Sequence, residues 1–340
     1  MAVADRSSPR RPRVALVAPD DSVTFIAQDR LLLSDEFEVE FARASGFGSL
    51  RHLRSAVSRA DVVLIWFMGR HALPAVLVAG FLDRPIVGII GGFEVAWDAD
   101  TGHGIRPGSL KERVLRWMLH RCRTIVTVSS HSRADTLARV PDLADRIRLV
   151  HNAVDASTFE PDAGCGREGV LCVAMISATT IKVKRLDLYA AIAARMPQTR
   201  FTLIGPALDA TARDFVQNLP PNLIWRDALR GDELVRAYQS AAVYCQLSRY
   251  ESFSLALAEA MACGCIPVIS NAAALPEVGG PHAIIVNPPE LETGVQAVAA
   301  ALQAPESLRE DVRRHIVERF STAQRQAKLT QILRDALREP

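Results

Sequence analysis

Short, nearly continuous apolar runs alternate along the chain with longer segments whose hydrophobic positions recur at helical spacing. In the first half, Val14–Ala18, Glu38–Ala42, Val62–Phe67, Ile86–Ile90, Thr124–Val128 and Arg148–Val150 predict strands. The second half repeats the pattern at Val170–Ile176, Arg200–Ile204, Asn222–Trp225, Val243–Gln246, Ile266–Ser270 and Ala283–Val286. Runs this apolar suit parallel strands covered on both faces. Two serial sets of this kind predict an α/β protein of two doubly wound, Rossmann-like domains facing each other across a cleft. A seam falls in Phe159–Arg167, where turn formers cluster without apolar periodicity. The expected division is 1–158, then 159–318, then a terminal segment 319–340 within the helical stretch Pro305–Leu337.

Composition narrows the class. At 340 residues, with 49% apolar and 23% charged, the chain can bury two ordinary cores. A net charge of +2 offers no footprint for a generic nucleic-acid binder. Ala72–Leu82 is broken by Pro74 and Gly80 and is too short to span a bilayer. The basic start, Met1–Arg13, is followed only by a strand-like run, so no secretory leader is expected. Cysteines at 122, 165, 172, 245, 263 and 265 lack disulfide or metal-ligand spacing, which predicts reduced thiols and a cytoplasmic protein. No Gly-x-Gly-x-x-Gly follows the first strand, which argues against a dinucleotide-binding protein.

The richest stretch is Ser248–Val268, where Glu251 and Glu259 stand eight residues apart around a strand-to-helix junction. Glu251 precedes the helix and faces a ligand at its N-terminus. Glu259, two turns further on, reaches the same ligand from the side. The N–H groups of Phe253, Ser254 and Leu255, after Ser252, make a seat for a phosphate. Two carboxylates flanking a diphosphate seat describe a nucleotide-sugar site.

These residues resemble the Glu-x7-Glu block of the retaining, GT-B-fold glycosyltransferases of family GT4. Asn152-Ala-Val-Asp155 with Phe159 resembles that family's Asn-Gly-Val-Asp turn, with Ala153 for the usual Gly. Phe201–Gly205 resembles the second strand of the donor domain, whose Gly lets the backbone approach the nucleotide. Asn222–Leu234, with Asp227, resembles the segment that reads the base. Lys184-Arg185-x-Asp-Leu matches the family's pyrophosphate-binding run, which opens the helix Leu186–Arg195. Met175 stands where an Arg is usual and the intervening loop is longer, so Lys182 or Arg185 is expected to supply the second cation. The usual Gly-Gly loop after the first strand is replaced by Pro19–Phe25, where Asp20 or Asp21 either binds acceptor hydroxyls or is simply solvated.

In the first half, Gly91-Gly92-Phe93-Glu94 resembles a variant of the family's acceptor loop. Glu94 then faces the acceptor or the sugar, or else caps its own turn. His103 lies in a loop opposite. Leu110–Arg123 reads as a basic amphipathic helix, which either packs or touches a membrane surface.

The resemblance implies a retaining, metal-independent hexosyltransferase-like enzyme that moves a sugar from a nucleoside diphosphate, a UDP-sugar being the expected donor. The acceptor is a hydroxyl of a glycan, a lipid-linked carrier or a natural product. Glu251, Lys184 and Glu94 are the implied catalytic group, and the donor is a substrate, so no cofactor is called for. The alternatives are a degenerate GT-B subunit and a pseudo-glycosyltransferase. The sequence names neither base, sugar nor acceptor, nor any oligomeric state.

Overall fold

The computed structural model describes residues 10–20, 24–44 and 50–338. Each predicted segment forms a strand. In chain order the first half holds β1 (Arg13–Ala18), β2 (Glu38–Arg43), β3 (Val62–Trp66), β4 (Ile86–Ile90), β5 (Trp97–Asp98), β6 (His103–Gly104), β7 (Thr124–Thr127) and β8 (Ile147–Leu149). The second holds β9 (Glu168–Val173), β10 (Phe201–Ile204), β11 (Leu223–Arg226), β12 (Ala241–Gln246), β13 (Ile266–Ser270) and β14 (Ile284–Val286). One six-stranded sheet runs β2-β1-β3-β4-β7-β8 and the other β11-β10-β9-β12-β13-β14, and every pairing within both is parallel. The sequence did not show β5 and β6, which pair as a small antiparallel ribbon that carries His103.

Burial on both faces explains the unbroken apolar runs. Along β1, Val14, Leu16 and Ala18 feed one core, while Ala15 and Val17 feed the core on the opposite face. The helix Leu110–Leu119 turns Leu115, Met118 and Leu119 into that second core and leaves Leu110 exposed. Among the described residues no helix is long and apolar enough to cross a membrane. Ala153, in the turn where the resembled family carries Gly, is not among the residues with positive φ, so the substitution brings no backbone strain.

The chain returns to its first half at the end. Val154 N–H donates to Phe320 O, and the helix Thr322–Arg338 lies against the helix Thr24–Leu33 and strands β3 and β4. Its Arg325 is 1% exposed and pairs with a fully buried Asp29.

Candidate active site

In the second sheet the strand order reverses between β9 and β12, and ligands of such sheets bind beyond the carboxyl ends at that reversal. β9 leads into Met175–Arg185 and β12 into Ser248–Leu255, so the topology brings together the two segments singled out in the sequence.

β12 is buried throughout, and the helix that follows spans Leu255–Ala262. Ser254 holds φ at 74°, a left-handed conformation, and its hydroxyl accepts the Leu257 N–H. The N–H groups of Phe253, Ser254 and Leu255 donate to no acceptor among the described residues. They form an electropositive helix end suited to an anion. Phe253 is buried against His151 and Phe320, which fixes this corner on the first half of the chain.

Glu251 sits just before the helix, with three donors converging on one of its oxygens. Lys184 Nζ at 2.7 Å, Gln246 Nε2 at 2.6 Å and Ser248 Oγ at 3.0 Å all reach Oε1. Among the described residues no donor reaches Oε2. Burial pulls the Lys184 ammonium down, but the charge and hydrogen bond of Glu251 outweigh it and hold its pKa above the ordinary lysine value. Glu259 lies within the helix, half-buried, and its Oε2 accepts the Tyr238 hydroxyl at 3.0 Å. Burial lifts its carboxyl to about 7, against the opposing pull of the Tyr238 bond.

Neither Lys182 nor Arg185, the expected second cations, pairs with a site carboxylate among the described residues. Met175 is 60% exposed just past β9, and the residues after it fold into a short helix, Ala178–Val183, capped by Ser177 and Thr180. The segment expected as a longer loop is therefore a helix. Lys182 is exposed, while Arg185, at φ 51°, donates to Pro289 O at 2.8 Å. Gly205 has a reason of its own, since a Cβ there would stand 1.8 Å from Ala174 O. Asp227 is exposed and accepts the Ala228 N–H.

The first half supplies the opposite wall. Gly92, at φ 119°, abuts Ser252: a Cβ built on it would lie 1.6 Å from Ser252 Oγ. Glu94 does not face the cleft. It is 3% exposed, and its carboxylate accepts N–H bonds from Met68 at 2.9 Å, Gly92 at 2.9 Å and Gly91 at 3.3 Å. Burial raises its pKa, with those N–H bonds opposing. Glu94 is thus the clasp of the glycine loop, which corrects its assignment to the catalytic group. A strand end that must turn sharply into a glycine pair leaves backbone donors that a nearby carboxylate satisfies.

His103 moves the other way. Rather than lying in an open loop, it sits on the β5–β6 ribbon with its ring 5.6 Å from Tyr250 and 5.2 Å from Phe93. Burial lowers its pKa, the charges of Glu251 and Asp98 oppose that, and Lys184 adds to it. It therefore lies within electrostatic reach of both. Asp20 is paired with Arg43 at 2.8 Å, and Asp21 falls outside the described residues.

Several residues here went unnoticed in the sequence. Tyr250 OH donates to Asp135 Oδ2 at 3.0 Å across the two halves. Glu277 accepts from Ser130 N–H and Oγ at 2.8 and 2.9 Å and lies 2.6 Å from His151 Nε2. Gln246 and Tyr238 hold the two site carboxylates. The available signals were a polar residue ending an otherwise apolar strand, and an aromatic beside the first glutamate. A separate surface cavity of about 870 Å³, near Cys165, Arg167 and Arg309, lies away from this chemistry. The Arg167 and Arg309 guanidiniums there are bound to main-chain carbonyls.

Comparison with known proteins agrees with this layout. Residues 8–158 match the family described as Glycosyltransferase Family 4, and residues 167–304 match Glycosyl transferases group 1. An MMP alpha-(1->4)-mannosyltransferase of Mycolicibacterium hassiacum is 31% identical over 210 residues, covering 58% of this chain and 50% of that one. The match spans between 39% and 65% of the length of its curated relatives, and 50% of the mannosyltransferase. Among solved structures, Anabaena HepE in complex with UDP and glucose superposes with a TM-score of 0.77 at 13% identity, covering 95% of this chain and 99% of that one. Sucrose-phosphate synthase from Thermosynechococcus elongatus gives 0.78 at 16% identity, with 96% and 99% covered. At these identities the structures speak for the fold.

Proposed function

The chain belongs to the family 4, group 1 glycosyl transferases, and on that premise we propose that it transfers a sugar, with retention, from a nucleoside diphosphate sugar to a hydroxyl acceptor. The observation that carries the reading is the convergence at the β9–β12 reversal of Lys184, Glu251 and the free N–H groups that open the helix Leu255–Ala262. A UDP-sugar is the donor proposed, in keeping with the UDP and glucose in the HepE structure.

The donor lies with its diphosphate on the N–H groups of Phe253–Leu255 and near Lys184. Glu259 receives ribose hydroxyls, and Oε2 of Glu251 receives hydroxyls of the sugar. As the anomeric carbon–oxygen bond breaks, negative charge grows on the leaving diphosphate, where the helix end and the lysine stabilise it without reorganising. The acceptor oxygen bonds to the anomeric carbon on the face the diphosphate leaves. Its proton passes to a phosphate oxygen of that leaving group. Rate enhancement then rests on positioning and electrostatics, and no metal ion or side-chain nucleophile is part of the proposal. His103 faces this reaction from the first half and helps to shape the acceptor side.

A thermal-shift and calorimetric screen of UDP, GDP, ADP and TDP tests the donor assignment, with Glu259→Ala as control. Stabilisation by one nucleotide that the variant loses supports it. If well-folded protein binds none of them, the transferase reading is wrong and the degenerate-subunit alternative takes its place.

A further inference from the structure

Gln246 is the last residue of β12 and is 3% exposed, a polar side chain closing an apolar run. Buried amides are held by full hydrogen bonding, and the partners of this one link two parts of the donor site. Its Oε1 accepts the Ser254 hydroxyl at 2.7 Å, and Ser254 in turn accepts the Leu257 N–H at the start of the helix. Its Nε2 donates to Glu251 Oε1 at 2.6 Å and stands 3.3 Å from Ser248 Oγ. The amide orientation follows from these partners, since the carboxylate only accepts and the Ser254 hydroxyl has its proton to give.

Lys184 alone would leave Glu251 free to pivot about a single contact. With Gln246 and Ser248 also on Oε1, the carboxylate has one oxygen fixed and presents the other. We infer that Gln246 is a positioning residue that ties Glu251 to the helix opening, so that Oε2 is aimed at the sugar of a donor whose diphosphate sits on that opening. The inference rests on the donor-site reading above. It adds a specificity element: the increment in affinity that the sugar contributes beyond the nucleoside diphosphate depends on Gln246.

The test compares each nucleotide sugar with its own nucleoside diphosphate by calorimetry, using UDP-glucose with UDP and GDP-mannose with GDP on the full chain. For the pair that wild-type protein binds, Gln246→Met should weaken the nucleotide sugar about tenfold and leave the diphosphate within about twofold. A Gln246→Met protein with an unchanged ratio overturns the inference. So does one that loses both ligands equally, because that assigns Gln246 to the helix cap alone. Should the screen above select ADP or TDP, that diphosphate and its glucose conjugate form the pair; failure of wild-type protein to bind any of these nucleotides overturns the donor-site reading itself, and the inference with it. Should Gln246→Met not fold, Gln246→Glu decides. It sets a second carboxylate against Glu251, with Lys184 on the same oxygen and His103 opposite, and like charges this close share a proton as pH falls. Once protonated, the introduced carboxyl donates as the amide does, so the sugar's share of affinity should recover between pH 8 and 5.5 relative to wild type. A ratio that stays flat with pH sinks the idea.

Discussion

Arg325 meets Asp29 through two hydrogen bonds, Nε to Oδ1 at 2.6 Å and Nη2 to Oδ2 at 2.7 Å, and both side chains are withdrawn from solvent. The same carboxylate accepts the Trp66 indole N–H at 2.8 Å, while Arg325 also donates to the carbonyls of Val150 and His151. Every charge is satisfied, so the pair is tolerable in the core, but neither partner can be left alone there. The pair fastens the last helix to the first half of the chain. Asp29→Ala should cost about 3–5 kcal/mol in urea unfolding, and the double variant Asp29→Leu with Arg325→Leu should recover part of that loss. A single variant as stable as wild type would falsify the view that this pair holds the helix in place.

Glu259 gives a pH signature. Its carboxyl is raised from 4.5 to about 7, so the folded protein holds a proton that the unfolded chain releases. A raised carboxyl contributes stability that is complete below about 4.5 and is lost as pH rises through about 7. Between those values ligand-free wild type should lose stability relative to Glu259→Gln, whose melting temperature should follow pH less steeply. Nucleotide affinity should move oppositely, rising through pH 7 as the carboxylate forms to accept ribose hydroxyls. Calorimetric titrations at pH 6 and 8 on both proteins check this, and equal pH dependence in the two would remove Glu259 from the account.

The parallel sheets were legible because burial on both faces writes itself as apolar runs, and the two-domain order followed from their repetition. The opening of the helix Leu255–Ala262 was legible as well, since a small polar cap and a preceding acid have local causes. Which of its two expected roles Glu94 takes was not legible, because its partners, the N–H groups of Met68, Gly91 and Gly92, are main-chain donors that no side-chain pattern announces. His103 was placed in a loop for the converse reason. Its ribbon is only two residues wide on each strand, too short for periodicity, and its proximity to Glu251 exists only after the halves meet. Asp29 and Arg325 lie 296 residues apart, and nothing local distinguishes them from surface charges.

Glu277 sits where the two halves meet. Its carboxylate occupies the N-terminus of the helix Ser130–Arg139, accepting the Ser130 N–H and hydroxyl, with His151 at 2.6 Å. Burial raises its pKa, but the His151 and Ser130 bonds prevail and hold it below the usual glutamate value. A depressed carboxyl contributes stability that is present above about 4.5 and is lost as pH falls through the lower folded value. Glu277→Gln keeps the size but gives up the charge at a helix end that favours it. The variant should melt lower at pH 7 and lose less than wild type on acidification. Matched melting curves at pH 7 and 4 provide the check, and parallel losses in the two proteins would count against a stabilising role for the Glu277 charge.

Gly92 and Ser252 touch across the cleft so closely that residue 92 cannot grow. A methyl at residue 92 would overlap Ser252 Oγ, and the φ of 119° is one that L-residues avoid. Gly92→Ala should therefore act in two separable ways. The backbone strain costs on the order of 1–3 kcal/mol of stability and persists whatever stands at 252. The overlap instead pushes the two halves apart, loosening the packing of His103 against Tyr250. Adding Ser252→Gly removes only the overlap. The double variant should stay as destabilised as Gly92→Ala yet regain much of its turnover and its compact scattering profile. If the second substitution restores neither, the contact between Gly92 and Ser252 does not set how the two walls of the site approach.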